Sequence, residues 1–80
     1  MSKQEIKDRL LKILVNDFGL YESEIKDEHT LEDLHIDSLE KIELVMVLET
    51  EFDIENINDE DVQMNITIEG IVQLIYNIKN

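Results

Sequence analysis

The chain has 80 residues, the size of one domain, so a single domain over residues 1–80 is predicted. Twenty acidic and seven basic residues give a formal net charge of −13, which repels nucleic acid backbones and anionic membranes and attracts basic protein surfaces. The chain has no cysteine, which excludes a disulfide scaffold, a thiolate nucleophile and a thiolate metal site.

The first predicted element is a helix over residues 3–18. Ser2 and Glu5 form the capping-box pattern of a helix N-terminus. Gly19 occupies the place of a helix C-terminal glycine. Between these two signals the apolar residues recur at helical spacing, at Ile6, Leu10, Ile13, Leu14 and Phe18.

A long loop and a second helix follow. Residues 19–37 show no sustained period, but their scattered apolar residues predict that the loop is pinned to the core, with a short helical turn around residues 31–34. Asp37 and Glu40 form a second N-terminal capping signature. Helix two is therefore predicted over residues 38–52.

The last part of the chain predicts two further helices. A short helix is expected over residues 59–64, capped by Asn58, and a final helix capped by Thr67 is expected to run to Ile78. No segment alternates with period two for long enough to demand a strand. The predicted fold class is all-α, a small up-and-down bundle with three main helices, one short helix and a long first loop.

Helix two is apolar on two faces. One stripe is the expected core face and consists of Leu44, Val45, Leu48 and Phe52. The opposite stripe is apolar and flanked by carboxylates, with Leu39, Ile42 and Met46 beside Glu40, Glu43 and Glu49. Either the helix is buried on all sides, or the second stripe is an exposed docking surface for a partner with basic residues around an apolar patch. Lys41 falls on the core side and is expected to pair with Asp37.

Ser38 lies in the first turn of this helix. It can share the cap with Asp37 or simply be exposed. Catalysis by Ser38 is poorly supported, because no triad order or glycine elbow surrounds it. The acids lack calcium-loop spacing, and His29 and His35 lack zinc-ligand spacing. A helix N-terminus tolerates a phosphate ester, so Ser38 is suited to being modified rather than to catalysing a reaction.

The run from Asp37 to Asp53, DSLEKIELVMVLETEFD, resembles the signature region of acyl carrier proteins. The similarity continues upstream through residues 31–34, and downstream at Ile57, in the acidic stretch 58–61 and in residues 66–68. The resemblance implies a small helical bundle that is not an enzyme. It also implies that Ser38 receives 4′-phosphopantetheine from coenzyme A through a phosphodiester bond, and that the terminal thiol of this arm carries acyl groups as thioesters.

The resemblance further implies partners and a cargo site. The partners are a phosphopantetheinyl transferase, also called holo-ACP synthase, and acyl-handling enzymes with basic patches, which dock on helix two of a monomeric carrier. By position, the docking residues are Asp37, Leu39, Glu40, Ile42, Glu43, Met46 and Glu49. By position, the candidates for an acyl pocket are Leu31, Leu34, Val45, Leu48, Ile57, Val62 and Leu74, most of which also fit an ordinary core.

Three positions depart from the family pattern. His35 replaces a frequent glycine, which puts the local backbone in doubt because histidine usually avoids positive φ. Lys41 weakens the negative strip slightly, and Thr50 interrupts a run of carboxylates that is often continuous.

The expected function is an acyl carrier of dissociated fatty-acid synthesis, and two alternatives stay open. One is a carrier of D-alanyl, aminoacyl or polyketide groups, and the other is an unmodified acidic helical adaptor. No apolar run approaches the length of a membrane span, and the N-terminus does not resemble a signal or transit peptide. A cytoplasmic location without membrane insertion is therefore expected.

Overall fold

Three α-helices and two short 3₁₀ turns make up the protein, as described by a computed structural model that covers all 80 residues. The helices are α1 (Lys3–Phe18), α2 (Ser38–Glu51) and α3 (Ile68–Lys79), and the 3₁₀ turns are Glu22–Glu24 and Asp59–Asp61. The small all-α bundle predicted from the sequence is confirmed. None of these helices is both long enough and apolar enough to cross a membrane.

The helix ends lie where the local capping signals predict them. Ser2 Oγ accepts a hydrogen bond from the Glu5 amide at 3.1 Å, and the Glu5 carboxylate accepts one from the Ser2 amide at 3.2 Å. Gly19 ends α1 in the left-handed conformation with φ of 70°. At the start of α3, Thr67 Oγ1 accepts from the Gly70 amide at 2.9 Å. Each cap satisfies backbone groups that a helix end leaves without partners.

The predicted short helix over residues 59–64 is wrong in length. Only Asp59–Asp61 form a single 3₁₀ turn. Asn58 does cap it, since its side-chain oxygen accepts from the Glu60 amide at 3.0 Å. Val62 leaves the helical region, with φ of −117° and ψ of 79°, and its side chain is fully buried. The turn ends because this more extended backbone carries Val62 into the core.

One apolar core fills the bundle. It contains 18 buried residues, all of them hydrophobic. The segments between the helices supply part of it, namely Leu31, Leu34, Ile36, Ile54, Ile57 and Val62. The loops are therefore held by burial of apolar side chains, as the scattered apolar residues of the first loop predict.

Backbone hydrogen bonds also pin the first loop to the start of α3. The amides of Ile68 and Glu69 donate to the carbonyls of His29 and Asp27 at 2.9 and 3.0 Å. The pairing continues toward residues 64–66. These bonds satisfy amides in the first turn of α3 that have no partner within the helix. The loop thus sets the position of the chain that leads into α2.

Candidate functional site

A capped single turn of helix leads into α2. The Asp33 amide donates to Thr30 Oγ1 at 2.9 Å, and the Thr30 amide donates to Asp33 Oδ2 at 3.0 Å. Hydrogen bonding to the backbone amide and side chain of Thr30 lowers the pKa of Asp33. The short helical turn expected around residues 31–34 is confirmed, with a reciprocal cap at its start.

His35 ends this turn in a left-handed conformation. Its φ is 62°, and its amide donates to the Glu32 carbonyl at 3.0 Å. The next amide, that of Ile36, donates to the Leu31 carbonyl at 3.0 Å. This pair of bonds is the Schellman motif, which normally has glycine at the left-handed position. Histidine therefore keeps the backbone conformation that a glycine would adopt here, at a cost of about 1–2 kcal/mol of strain.

Ser38 is the exposed first residue of α2, and it does not share the cap. Asp37 Oδ1 accepts from the Glu40 amide at 2.8 Å, and the Glu40 carboxylate accepts from the Asp37 amide at 3.1 Å. The Ser38 side chain is exposed and makes no hydrogen bond within the chain. The sequence left open whether Ser38 shares the cap or is simply exposed, and the structure shows that it is exposed.

The surroundings of Ser38 fit a phosphate ester. The amides of Ser38 and Leu39 lie in the first turn, where no helical carbonyl precedes them to accept their hydrogen bonds. They give this helix end a partial positive charge that favours an anion. Because the hydroxyl is exposed and Asp37 does the capping, esterifying Ser38 removes no contact that holds the fold.

The outer face of α2 is apolar and exposed. Leu39 is 72% exposed, Met46 60% and Ile42 47%. The opposite stripe is buried and consists of Leu44, Val45, Leu48 and Phe52. The interpretation of α2 as a helix buried on all sides is therefore wrong. We call Leu39, Ile42 and Met46 the apolar strip.

The carboxylates around the apolar strip differ in how freely they can face a partner. Asp37 and Glu43 are exposed, although Asp37 is also the helix cap. Glu40 is half-buried and bonded to the Asp37 amide. Glu49 is also half-buried, and its Oε2 accepts from the Ile57 amide at 2.7 Å. Glu43 is thus the exposed carboxylate beside the apolar strip with no capping or loop-holding hydrogen bond.

The expected pairing of Lys41 with Asp37 does not form. The two ion pairs of the structure join other residues, Lys7 to Asp27 and Arg9 to Glu51. Asp37 is instead engaged as the cap of α2. Because the Asp37 carboxylate is bonded to an amide at the N-terminus of α2, it does not pair with Lys41.

The acyl-pocket candidates lie in the packed core, with one exception. Leu74 is half-buried, and the fully buried members are Leu31, Leu34, Val45, Leu48, Ile57 and Val62. Val45 and Ile57 also line a surface groove of about 450 Å³ beside the apolar strip. The other lining residues are Ile42, Met46, Glu49, Asn56, Asn58, Asp59 and Glu60. The sequence indicated Asn58 only as a helix cap and did not indicate that residues 56 and 58–60 line a groove, because a loop without periodicity gives no sign of which side chains face it.

The chain matches a known protein family over most of its length. A family model described as the phosphopantetheine attachment site matches residues 8–75. The matched range runs from α1 into α3 and contains all of α2, including Ser38. This family includes acyl carrier proteins, and its members bind 4′-phosphopantetheine covalently. The resemblance stated from the sequence is confirmed at the level of the family.

Proposed function

The chain belongs to the phosphopantetheine attachment family, and on that premise we propose that it is an acyl carrier protein whose arm is attached to Ser38 and which serves fatty-acid biosynthesis. The arm supplies a terminal thiol on which an acyl group is carried as a thioester. The protein itself supplies the attachment point and the docking surface, and the enzymes that it visits supply the catalysis.

The observation that carries the proposal is that Asp37, and not Ser38, caps α2. Asp37 makes the capping hydrogen bonds of α2, while the Ser38 hydroxyl is exposed and unengaged. A modifying enzyme can therefore reach the Ser38 oxygen without breaking the cap. Modification takes place at a helix end whose amides favour the added phosphate.

The attachment reaction balances with coenzyme A as the donor. The Ser38 oxygen forms a phosphodiester with the phosphopantetheine moiety, and the pyrophosphate bond of coenzyme A breaks. Adenosine 3′,5′-bisphosphate leaves, and the Ser38 proton is lost to the transferase. The chain's contribution is the position of the hydroxyl, and the two carboxylates nearest in the sequence, those of Asp37 and Glu40, are engaged as acceptors of backbone amides in the cap.

The apolar strip supports the proposed docking role. Its exposed side chains offer a water-excluding contact, and Glu43 beside them offers an unengaged negative charge. A partner with basic residues around an apolar patch complements this face in both respects. The proposed docking surface, on a monomeric carrier, consists of the residues already predicted from the sequence, namely Asp37, Leu39, Glu40, Ile42, Glu43, Met46 and Glu49.

Intact mass spectrometry tests the attachment site. Incubation with a phosphopantetheinyl transferase and coenzyme A should add one phosphopantetheine to the wild-type chain and none to Ser38→Ala. Ser23→Ala is the matched control, because Ser23 is also exposed but lies in the first 3₁₀ turn, and it should be loaded like wild type. Phosphopantetheine on Ser38→Ala would refute the site, and an unmodified wild-type chain would favour the acidic adaptor.

Loading of the modified protein tests the pathway. The holo protein is offered to enzymes that load malonyl, D-alanyl, aminoacyl and polyketide starter groups, and its mass is measured after each reaction. A malonyl transferase of fatty-acid synthesis should load it fastest. Preferential loading by one of the other enzymes would assign the carrier to that pathway instead.

A further inference from the structure

We infer that His35 is a positioning residue for the modification of Ser38, because its left-handed backbone sets the path by which the chain enters α2. The inference rests on the proposed attachment at Ser38. It concerns the backbone conformation of His35, which the proposed function by itself does not require. His35 is one of two non-glycine residues in the chain with positive φ, and it lies three residues before Ser38.

Buried neighbours clamp the chain on the upstream side of Ser38. Leu31 is fully buried and Ile36 is nearly so, and the Ile36 amide donates to the Leu31 carbonyl. Both side chains belong to the single apolar core. A change of φ at His35 would have to displace Ile36 from that core or redirect the chain after it. Redirecting the chain after Ile36 keeps Ile36 buried and therefore costs less free energy. The start of α2 is then the part of the chain that moves.

Only Asp37 separates this clamp from Ser38. Asp37 has extended backbone, with φ of −82° and ψ of 178°, and its side chain is bonded to the Glu40 amide. It therefore has little freedom to absorb a change at His35 and still cap α2. Such a change shifts either the cap or the first residue of the helix, and the Ser38 oxygen moves in both cases. Reacting atoms need accurate placement, so a small displacement of that oxygen slows its reaction.

The chemistry of residue 35 makes the inference testable with a graded series. The His35 side chain is exposed and makes no hydrogen bond in the chain, so replacing it removes no contact that holds the fold. Glycine adopts positive φ readily and asparagine tolerates it. Alanine is strained there, and a β-branched valine is strained most.

The other end of α2 offers a matched control. Asp53 has φ of 52°, and the amides of Asp53 and Ile54 donate to the Thr50 and Glu49 carbonyls at 3.4 and 2.9 Å. This is the same motif as at His35, again with a residue other than glycine at the left-handed position. A helix of 14 residues, about 20 Å long, separates it from Ser38. Asp53→Val therefore introduces the same kind of strain far from the modified oxygen.

The experiment measures kcat and KM for transfer of phosphopantetheine onto each variant, at a temperature where circular dichroism shows the variant to be folded. His35→Val should lower kcat about fivefold, the rate change that corresponds to the lower end of the cost of left-handed backbone, because histidine already bears part of this strain and a β-branched residue bears more; KM for the carrier should change little. His35→Ala should fall between valine and wild type, and it carries the test if the valine variant does not fold. His35→Gly and His35→Asn should stay near the wild-type rate, and Asp53→Val should lose stability without slower loading.

Three results would overturn the inference. One is a folded His35→Val that is loaded as fast as wild type. Another is an equal slowing in Asp53→Val, which would show a general effect of stability. The third is an equal slowing in His35→Gly and His35→Asn, which would show that the imidazole acts and the backbone does not. Failure of the proposed function is distinct from all three, since the wild-type chain itself would then remain unmodified.

Discussion

Arg9 on α1 binds Glu51, the last residue of α2, through both its carboxylate and its backbone carbonyl. Arg9 Nε and Nη2 lie 2.8 and 2.7 Å from Glu51 Oε2, and Nη2 donates to the Glu51 carbonyl at 2.8 Å. The guanidinium also lies 4.9 Å from the centroid of the Phe52 ring. A single side chain thus joins two helices, satisfies a carbonyl at a helix C-terminus and covers a core aromatic residue.

We expect Arg9→Gln to lower the free energy of unfolding by about 1–2 kcal/mol, since it removes charged hydrogen bonds and the contact with the ring. Arg9→Lys should recover little of the loss, because one ammonium cannot reproduce the planar fork of donors. Urea denaturation measures both effects. Lys12→Gln is the control on the same helix, because Lys12 is exposed and has no ion-pair partner. A loss in Arg9→Gln no larger than in this control would contradict the structural role of Arg9.

The parts of the fold that the sequence predicts depend on local signals. The capping boxes at Ser2–Glu5 and Asp37–Glu40 each join residues three positions apart, and both helices begin where these boxes indicate. The position of the apolar strip opposite the core stripe likewise follows from helical spacing within α2, whereas its exposure was left open by the spacing and is shown by the structure. Such signals are readable because propensity and capping act over one helical turn.

The parts that were missed depend on contacts distant in sequence. Arg9 and Glu51 are separated by 42 positions, and no local pattern connects them. The early end of the 3₁₀ turn before Val62 follows from burial in the core, which helical propensity does not encode. The conformation of His35 was missed for a different reason: the bonds that specify the turn are local, but histidine usually avoids positive φ, so the residue type gives no sign of a left-handed position.

Position 70 in α3 is predicted to require glycine, because neighbouring atoms leave too little room for a side chain. A Cβ at this position would lie 2.9 Å from Ile66 Cγ1 and 3.2 Å from Thr67 Oγ1, the cap of α3. Helix propensity favours alanine by about 1 kcal/mol, but overpacking costs about 1–3 kcal/mol, so Gly70→Ala should be destabilising on balance. Thermal unfolding measures the change. In an Ile66→Ala background the closest contact is absent, and the same substitution should become neutral or stabilising. Destabilisation of equal size in both backgrounds would contradict this account.

The carboxylate of Asp33 should titrate below its ordinary pKa of 3.8 because it is hydrogen-bonded to Thr30. A lowered folded pKa means that the stabilisation is present above the unfolded value and is lost as the pH falls through the folded value. NMR titration of the carboxyl carbon should show this depression, and Thr30→Val, which removes the hydroxyl but keeps the backbone amide that is the larger cause, should raise the pKa of Asp33 only part of the way. Stability should follow, with Asp33→Asn less stable than wild type at neutral pH and the difference shrinking in acid. An Asp33 pKa at or above its ordinary value in the wild-type chain would contradict the assignment.

Binding kinetics should distinguish the contribution of the charged residues of the docking surface from that of its apolar residues. Glu43→Lys is expected to slow association with a phosphopantetheinyl transferase, most strongly at low salt, because complementary charge mainly accelerates encounter. Met46→Ala is expected to raise the dissociation rate with little dependence on salt, because an apolar contact holds the complex after it forms. Surface plasmon resonance at two ionic strengths measures both rates. Equal effects of the two substitutions on both rates would contradict this division.

Stability measurements on the same variants show whether Met46 acts through binding or through the fold. Met46 is 60% exposed, whereas Leu48, two residues away on the same helix, is 1% exposed. Truncating a buried leucine costs about 2–5 kcal/mol, so Leu48→Ala should be strongly destabilised. Met46→Ala removes little buried surface and should lose less than about 1 kcal/mol. If Met46→Ala instead unfolds as readily as Leu48→Ala and binds normally at low temperature, the apolar strip belongs to the core and the docking surface lies elsewhere.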